Sequence, residues 1–303
     1  MFRDAADQAV TVRRYCALRE LAATSLRGKA FVILGVVDHA EDRPHLRPYL
    51  SVIIPAFDEE RRIGRTLRLL SSHLGTLAYP SEILVVDDGS RDGTRAEVER
   101  ATEDSPVRIR ALHFPVNRGK GHAVRNGMLD AEGDVLVFYD ADGSAPPEEI
   151  AKLVAAIARG ADVAAGSRRL DQALVERSLK RKLISRGFNV LVRSIVGLDV
   201  EDSQCGIKAF QRHAARRIFE QQKLDGFAFD CEVLAIAHRQ GWQIVDVPVK
   251  WTDAAGSKLN LARASLAMLY DLTRIRRLVA DVAPVTSRSW RPRDLTERPN
   301  ERA

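Results

Sequence analysis

The central part of this chain alternates short, unbroken apolar runs with segments of helical periodicity. The apolar runs lie at 51–55, 82–87, 107–112, 134–140 and 162–166, and the helical segments lie near 60–74, 92–104, 120–131 and 147–159. Because the runs are continuously apolar rather than apolar at every second residue, they predict strands that are buried on both faces. Strands that alternate with helices predict an α/β fold with a doubly wound, mostly parallel central sheet flanked by helices.

Polar clusters follow four of the predicted strands. They are PAFDEE at 55–60, DDGSRDGT at 87–94, NRGKG at 117–121 and DADGS at 140–144. In a doubly wound sheet, ligands bind beyond the carboxyl ends of the strands. The sequence therefore predicts a binding site at this edge of the sheet.

The cluster after the fourth strand contains two carboxylates, Asp140 and Asp142, that are separated by one residue. In an extended segment, residues i and i+2 point to the same side, so both carboxylates can face one point. Hard oxygen ligands suit Mg²⁺ or Mn²⁺, and a substrate diphosphate with water can complete the coordination shell. A solvated acidic turn is the alternative interpretation of this pair.

The other clusters have two interpretations each. Asp87 is placed to hold a ribose hydroxyl or a base edge, whereas residues 88–92 suit capping or turn formation equally well. Phe57 could form a wall for a nucleotide base, or its segment could simply start a helix, since acidic residues suit a first helical turn. Lys120, between two glycines, suits phosphate or sugar contact and a simple capped turn equally well.

Composition excludes several classes of protein. Among 303 residues, 47 Lys+Arg against 41 Asp+Glu give a net charge of +6, and 6 % aromatic residues leave no basic-plus-stacking pattern for nucleic acid. The three cysteines (16, 205 and 231) have no CxxC spacing, which indicates a reducing compartment and packing roles. The longest apolar run, 30–37, is far shorter than the roughly 20 residues of a membrane span. We therefore expect a cytoplasmic protein that is soluble or peripheral.

Nine motifs in order give the chain a family resemblance over about 50–260. They are SVIIPAFDEE, ILVVDDGSRDGT, NRGKGHAVRNG, DADGS, GSR at 166–168, ERSLKRKLISRGFN at 176–189, DSQCGIK at 202–208, FAFDCE at 227–232, and VPVKW followed by GSK at 256–258. Together they resemble the family 2 glycosyltransferases of the GT-A fold. Within that family the chain is similar to the dolichyl- or polyprenyl-phosphate β-glucosyltransferases, which are close kin of the dolichyl-phosphate mannose synthases.

The resemblance implies a role for each residue at a matching position. The donor nucleotide and its phosphates would be held by Pro55, Ala56, Phe57, Glu59, Asp87, Lys120, Asp140, Ala141 and Arg168. The divalent metal, Mg²⁺ or Mn²⁺, would be bound by Asp140 and Asp142. Donor diphosphate or acceptor phosphate would also meet Arg181 and Lys258, and Asp202 would lie near the reacting centre.

The implied activity is metal-dependent, inverting transfer of a sugar, glucose by the branch resemblance, from a UDP-sugar to a polyprenyl phosphate. A soluble acceptor, or GDP-mannose as donor, is the alternative. A lipid phosphate is already mostly anionic at neutral pH, so Asp202 would then orient groups. For an alcohol acceptor, Asp202 would be the leading candidate for the general base.

The chain divides into four predicted regions: an N-terminal extension (1–48), a GT-A catalytic domain (49–258), an amphipathic helix (259–283) and a polar, disordered tail (284–303). Along this helix runs an apolar stripe, beside Arg274, Arg276 and Arg277, that consists of Leu261, Ser265, Met268, Leu272, Ile275 and Val279. Such a stripe suits a membrane interface, but packing on the sheet or on another subunit is equally compatible. The oligomeric state is left open.

Overall fold

The computed structural model of the chain describes residues 47–170, 175–176, 187, 190–252 and 261–285. Its strands are β1 (Leu50–Ala56), β2 (Ser81–Asp87), β3 (Arg108–His113), β4 (Val135–Tyr139), β5 (Val163–Ser167), β6 (Val175–Glu176), β7 (Ile207–Gln211), β8 (Ile244–Pro248) and β9 (Trp251–Thr252). Its helices are α1 (Ile63–Gly75), α2 (Thr94–Glu103), α3 (Lys120–Asp130), α4 (Glu149–Ala158), α5 (Arg212–Gln221), α6 (Phe229–Gln240) and α7 (Leu261–Leu278). Residues 190–196 are also helical.

Seven strands form the central sheet in the order β3-β2-β1-β4-β7-β5-β8, and β6 pairs with β9 in a separate two-stranded sheet. Neighbouring strands of the large sheet run parallel except around β7, which is antiparallel to both β4 and β5. The predicted mostly parallel, doubly wound sheet is thus confirmed. Because β7 is reversed, its first residue, Ile207, lies at the edge where the parallel strands end, opposite Tyr139 of β4.

The core is built by strands that are apolar on both faces. Val52, Ile53 and Ile54 of β1 are all fully buried, as continuous apolar runs in a covered parallel sheet require. Helix α3 packs close to this strand because residue 127 is glycine: a Cβ at Gly127 would lie 2.4 Å from the Cγ2 of Ile53. This contact therefore fixes how closely α3, whose first residue is Lys120, packs against the sheet.

Helix α7 packs on α6 through the part of its apolar stripe whose side chains are described. Leu272, Ile275 and Val279 are at most 6 % exposed, and Arg239 of α6 donates a hydrogen bond to the carbonyl oxygen of Ala280 at 2.9 Å. For these three residues the structure shows packing within the domain. Over the described ranges, no helix is long and apolar enough to cross a membrane. The predicted extension and tail lie outside the described residues, apart from 47–48 and 284–285.

Candidate active site

The loops that follow β1 and β2 are joined by reciprocal hydrogen bonds. The backbone N–H of Asp58 donates to the hydroxyl of Ser90 at 3.0 Å, and the N–H of Arg91 donates to the carboxylate of Asp58 at 2.9 Å. The N–H of Glu59 donates to the hydroxyl of Thr94 at 2.7 Å, and the N–H of Gly93 donates to Glu60 at 2.9 Å. The polar residues of the two motifs therefore build one rigid rim at the carboxyl edge of the sheet.

This rim presents one large apolar side chain to solvent. Phe57 is 42 % exposed, whereas Pro55 and Ala56 are buried within β1. Glu59 is engaged by Arg62, whose guanidinium donates to both carboxylate oxygens at 2.5 and 2.6 Å. Burial alone would lower the pKa of Arg62. Glu59, and then Asp142 and Asp140 (the two carboxylates of the DADGS cluster, called here the DxD motif), raise this pKa above the ordinary value. Arg62, a cation close enough to Asp140 and Asp142 to feel their charge, was not predicted from the sequence.

The adjacent aspartates 87 and 88 have different surroundings. Asp88 is fully engaged in joining loops, because it accepts hydrogen bonds from the N–H groups of Arg118 and Gly119 at 2.9 and 2.6 Å and contacts His122 at 2.8 Å. Asp87 accepts one hydrogen bond from the N–H of Ser90 at 2.9 Å, and its other oxygen lies 3.1 Å from a ring nitrogen of His113. Asp88 therefore joins two loops and does not form the predicted local turn or cap. The local turn bond is made by Asp87, whose nucleotide role remains a prediction.

The acidic loop after β4 is held by its neighbours. The hydroxyl of Thr66 in α1 donates to the carbonyl oxygen of Ala141 at 2.8 Å, and the N–H of Ser144 donates to Oδ1 of Asp142 at 3.0 Å. Residue 143 is glycine in the left-handed region (φ +68°), where a side chain would be strained. The loop therefore has one defined conformation, with Ala141 buried and its two acidic neighbours partly exposed.

Lys120, the first residue of α3, meets this loop. Its ammonium lies 2.7 Å from Oδ1 of Asp140. It also makes cation–π contacts with Phe138 and Phe229, at 5.4 and 5.8 Å from their ring centroids. Burial lowers the pKa of Lys120, but the charges of Asp140 and Asp230 raise it by more. The lysine is therefore a permanent cation at the acidic motif, where the sequence placed it.

Gly206, directly before β7, supports the other oxygen of Asp140. The N–H of Asp140 donates to the carbonyl oxygen of Gly206 at 3.0 Å, and a Cβ at position 206 would lie 2.0 Å from Oδ2 of Asp140. The Asp140 carboxylate thus rests against bare backbone that the reversed strand delivers to the edge. The motif DSQCGIK was recognised in the sequence, but this role of its glycine was not.

Gly206→Ala is expected to move the Asp140 carboxylate while the fold is retained, since the nearest atoms to the added Cβ belong to two side chains, Asp140 and, at 2.9 Å, Trp251, and not to backbone. We predict that Mn²⁺ affinity, measured by electron paramagnetic resonance of the free ion, drops at least about tenfold, as expected for a misplaced support of a metal ligand. The control is Gly226→Ala, because a Cβ there meets nothing within 4 Å. Equal Mn²⁺ affinity in wild type and Gly206→Ala would contradict this role.

Arg168 and Asp202 form a buried, bidentate ion pair. The guanidinium donates to both oxygens of Asp202 at 2.6 and 2.8 Å, and the backbone N–H of Arg168 adds a bond at 3.1 Å. Arg168 also lies over the ring of Trp251, 5.1 Å from its centroid. Burial would raise the pKa of Asp202, but Arg168 lowers it below the ordinary value. The two residues were predicted separately, and the structure shows that each is the other's partner.

This pair predicts a pH dependence of stability. Because the folded-state pKa of Asp202 is below the unfolded one, its ion pair contributes stability above the ordinary pKa of about 4, and this contribution is lost as the pH falls through the folded value. The difference in free energy of unfolding between wild type and Asp202→Asn should therefore narrow between pH 6 and pH 3. Urea unfolding at four pH values measures it, and a constant difference would contradict the assignment.

Two predicted residues, Arg181 and Lys258, lie outside the described residues. The others gather along the carboxyl edge of the sheet, at the ends of β1, β2, β4 and β5 and before β7. Within the described ranges, no three His, Cys, Asp or Glu side chains come together as a metal cluster. The acidic pair nevertheless fits a divalent cation: Oδ1 of Asp140 is buried without a directed hydrogen bond, and its contact is the Lys120 ammonium. A diphosphate would have to supply further ligands.

A doubly wound sheet with this acidic loop and these cations at its carboxyl edge defines a glycosyltransferase of the GT-A fold. The model of a family described as "Glycosyl transferase family 2" matches residues 51–219, more than half of the chain, and the chain belongs to that family.

The chain is also similar to individual proteins. It is 36 % identical to the dolichyl-phosphate beta-glucosyltransferase of Dictyostelium discoideum over 75 % of this chain and 74 % of that protein. Identity and both coverages are the same for the Saccharomyces cerevisiae enzyme of that name. The glucosyl-3-phosphoglycerate synthase of Mycobacterium tuberculosis, solved with Mn²⁺, UDP and glucosyl-3-phosphoglycerate, has a TM-score of 0.56 at 21 % identity, over 75 % of this chain and 78 % of that one. At this identity, the last comparison speaks for the fold alone.

Proposed function

We propose that the chain transfers glucose from UDP-glucose to dolichyl phosphate or a related polyprenyl phosphate, with inversion at the anomeric carbon. The observation that carries the proposal is the 36 % identity to dolichyl-phosphate beta-glucosyltransferases over three quarters of the chain. The site is consistent with it, because a nucleoside diphosphate needs an aromatic surface, acidic metal ligands and cations in one place. Phe57, the DxD motif and Lys120 supply these at one edge of the sheet.

In this proposal the exposed ring of Phe57 stacks on the uracil base and Asp87 accepts a hydrogen bond from the nucleoside. Asp140 and Asp142 would hold Mg²⁺ or Mn²⁺, which neutralises the diphosphate and makes UDP a better leaving group. Lys120 and Arg168 would add two fixed positive charges where negative charge develops on the diphosphate as UDP departs. Arg181 and Lys258 remain proposed phosphate contacts on sequence grounds alone.

The nucleophile in this proposal is an oxygen of the acceptor phosphate, which attacks the anomeric carbon from the face opposite the departing UDP. Since a phosphate monoester is already largely dianionic near pH 7, the reaction needs no general base. Asp202 suits this chemistry, because a carboxylate that Arg168 holds ionised by a bidentate pair is a poor proton acceptor. We assign Asp202 the role of orienting Arg168.

The acceptor requires contact with a membrane, and we propose peripheral attachment at its cytoplasmic face. Helix α7 buries Leu272 and Ile275, so these two residues are not the membrane contact. Arg274 and Tyr270 on the same helix are exposed, 46 % and 67 % respectively, and suit an anionic surface.

Donor and acceptor are tested together in one nucleotide-release assay. Purified protein with Mn²⁺ is given UDP-glucose or GDP-mannose, each with a short polyprenyl phosphate, with 3-phosphoglycerate, or with no acceptor. We expect UDP release only with UDP-glucose and the lipid phosphate. GDP release with the lipid would move the donor to GDP-mannose, and UDP release with 3-phosphoglycerate would move the acceptor into water. The anomeric configuration of the product, read by proton NMR, tests inversion.

A further inference from the structure

Four charged side chains form a cluster that extends from the acidic motif, where it is partly exposed, into the core, where it is buried. Lys120 and Lys208 both approach the ring of Phe138, at 5.4 and 5.1 Å from its centroid. Lys208 is fully buried, and its ammonium donates to Oδ1 of Asp230 at 2.6 Å and to the carbonyl oxygen of Cys205 at 2.7 Å. Lys120 in turn contacts Asp140. The cluster therefore consists of two lysines and two aspartates: Lys120, Lys208, Asp140 and Asp230.

Such a cluster is not needed for stability. Buried ion pairs cost desolvation, and replacing one with apolar residues of similar volume is often neutral or stabilising. Three of the elements that meet here, α3, β4 and β7, already pack through apolar residues such as Val124, Val137 and Ala209, which are fully buried. A role in the neighbouring site would explain why the pair of Lys208 and Asp230 is charged.

The arrangement of charges suggests that role. Asp230, in the first turn of α6, directly follows Phe229, whose ring lies 5.8 Å from the Lys120 ammonium, and its partner Lys208 shares the ring of Phe138 with Lys120. Burial raises the pKa of Asp230, and the charges of Lys208 and Lys120 oppose that rise. Lys120 therefore contacts one carboxylate, that of Asp140, and has a second one, that of Asp230, in the same cluster. Lys208 donates a hydrogen bond to one oxygen of Asp230 and so fixes the position of that carboxylate. Asp230 therefore does not move, and it does not pull the flexible side chain of Lys120 away from the rim.

We propose that Asp230 and Lys208 are positioning residues that hold the Lys120 ammonium at the diphosphate of the donor. This inference rests on the proposed function only for the donor, not for the acceptor. When Asp140 binds the metal ion, Asp230 remains as the counter-charge of Lys120, so the ammonium stays in place and its charge is available to the phosphate oxygens. Neither residue has to touch the substrate.

The test replaces the pair by apolar residues of similar size, Asp230→Leu with Lys208→Met, in the full chain. UDP binding in the presence of Mn²⁺ is measured by calorimetry, beside the melting temperature. We expect a melting temperature within a few degrees of wild type and UDP affinity weaker by at least about tenfold. The matched control is Glu82→Leu with Arg110→Met, because Glu82 is also buried and ion-paired, by 3.1 Å, but lies at the opposite end of β2. It should leave UDP affinity unchanged.

A double-mutant cycle with Lys120→Met separates positioning from general structural damage. If the pair acts through Lys120, replacing the pair in the Lys120→Met background should weaken UDP binding less than about twofold further. Full additivity, or wild-type UDP affinity in the folded double variant, would overturn the proposal. Should the apolar pair fail to fold, Asp230→Asn alone enters the same cycle with the same criteria. A wild-type chain that binds UDP with Mn²⁺ but glucosylates no lipid would refute the acceptor and leave this inference intact.

Discussion

Asp142→Asn is expected to lower kcat/KM for glucosyl transfer by about 10³-fold, the scale of several kcal/mol of charge stabilisation by a metal ion. The substitution keeps the size of the side chain and the oxygen that accepts the hydrogen bond from the N–H of Ser144. The loop should therefore keep its conformation and lose one negative charge at the proposed metal site. Initial rates over a range of Mn²⁺ concentrations measure the effect, and excess Mn²⁺ should restore only part of the rate.

Asp134→Asn is the matched control for this prediction. Asp134 lies just before β4, at the opposite end of the strand that leads to the acidic motif, and its carboxylate is 3.3 Å from Arg47. Asp134→Asn also removes one negative charge next to β4, but at the end of the strand that is far from the carboxyl edge of the sheet. Activity should stay within about twofold of wild type, since exposed ion pairs contribute about 0–1 kcal/mol. Equal losses in both variants would show that net charge rather than the acidic motif matters.

Arg168→Lys and Asp202→Asn are each expected to lower kcat/KM by about 10²-fold, and the double variant should be little worse than either. Lysine keeps the charge at position 168 but loses the planar fork that makes two parallel bonds to Asp202. Asparagine keeps the shape at position 202 but no longer holds the guanidinium by charge. Because both changes disturb one pair, their effects on the rate should not add.

The same pair of variants separates orientation from base catalysis. A general base at position 202 would make Asp202→Asn much more damaging than Arg168→Lys, and the losses would multiply in the double variant. Arg193→Lys serves as the control, since Arg193 is also paired with acidic side chains of this loop, Asp199 and Glu201, but is 41 % exposed. It should leave the rate unchanged.

Strands β1, β2, β4 and β5 could be predicted because they are almost fully buried and their sequences are apolar runs. The prediction of burial on both faces was wrong for β3, which is a partly exposed edge strand, and the other edge strand, β8, was not predicted. Strand β7 was not assigned as a strand, since Lys208 interrupts its apolar run. That lysine is tolerated only because Asp230, 22 residues further along the chain, supplies a buried counter-charge. The residues next to β7 in the sequence give no sign that Asp230 will be the partner of Lys208.

For the candidate site, the residues could be predicted from the sequence but their pairings could not. The motifs identified which residues gather at the carboxyl edge, because parallel strands bring their ends together. The pairings among them depend on tertiary distances: Arg168 with Asp202 across 34 residues, and Asp140 against Gly206 through the reversed strand. A role of Arg62 in the site was not predicted, because its partner Glu59 lies three residues earlier and the segment has the pattern of an ordinary helix start.

The transfer itself is tested most directly by following the sugar. Protein is incubated with UDP-glucose radiolabelled in the sugar, Mn²⁺ and dolichyl phosphate, and the label is partitioned between water and organic solvent, with Asp142→Asn and a lipid-free reaction in parallel. We expect Mn²⁺-dependent label in the organic phase, which should be absent without the lipid and nearly absent in the variant. Label that stays in water while UDP is released in the presence of the lipid would contradict it.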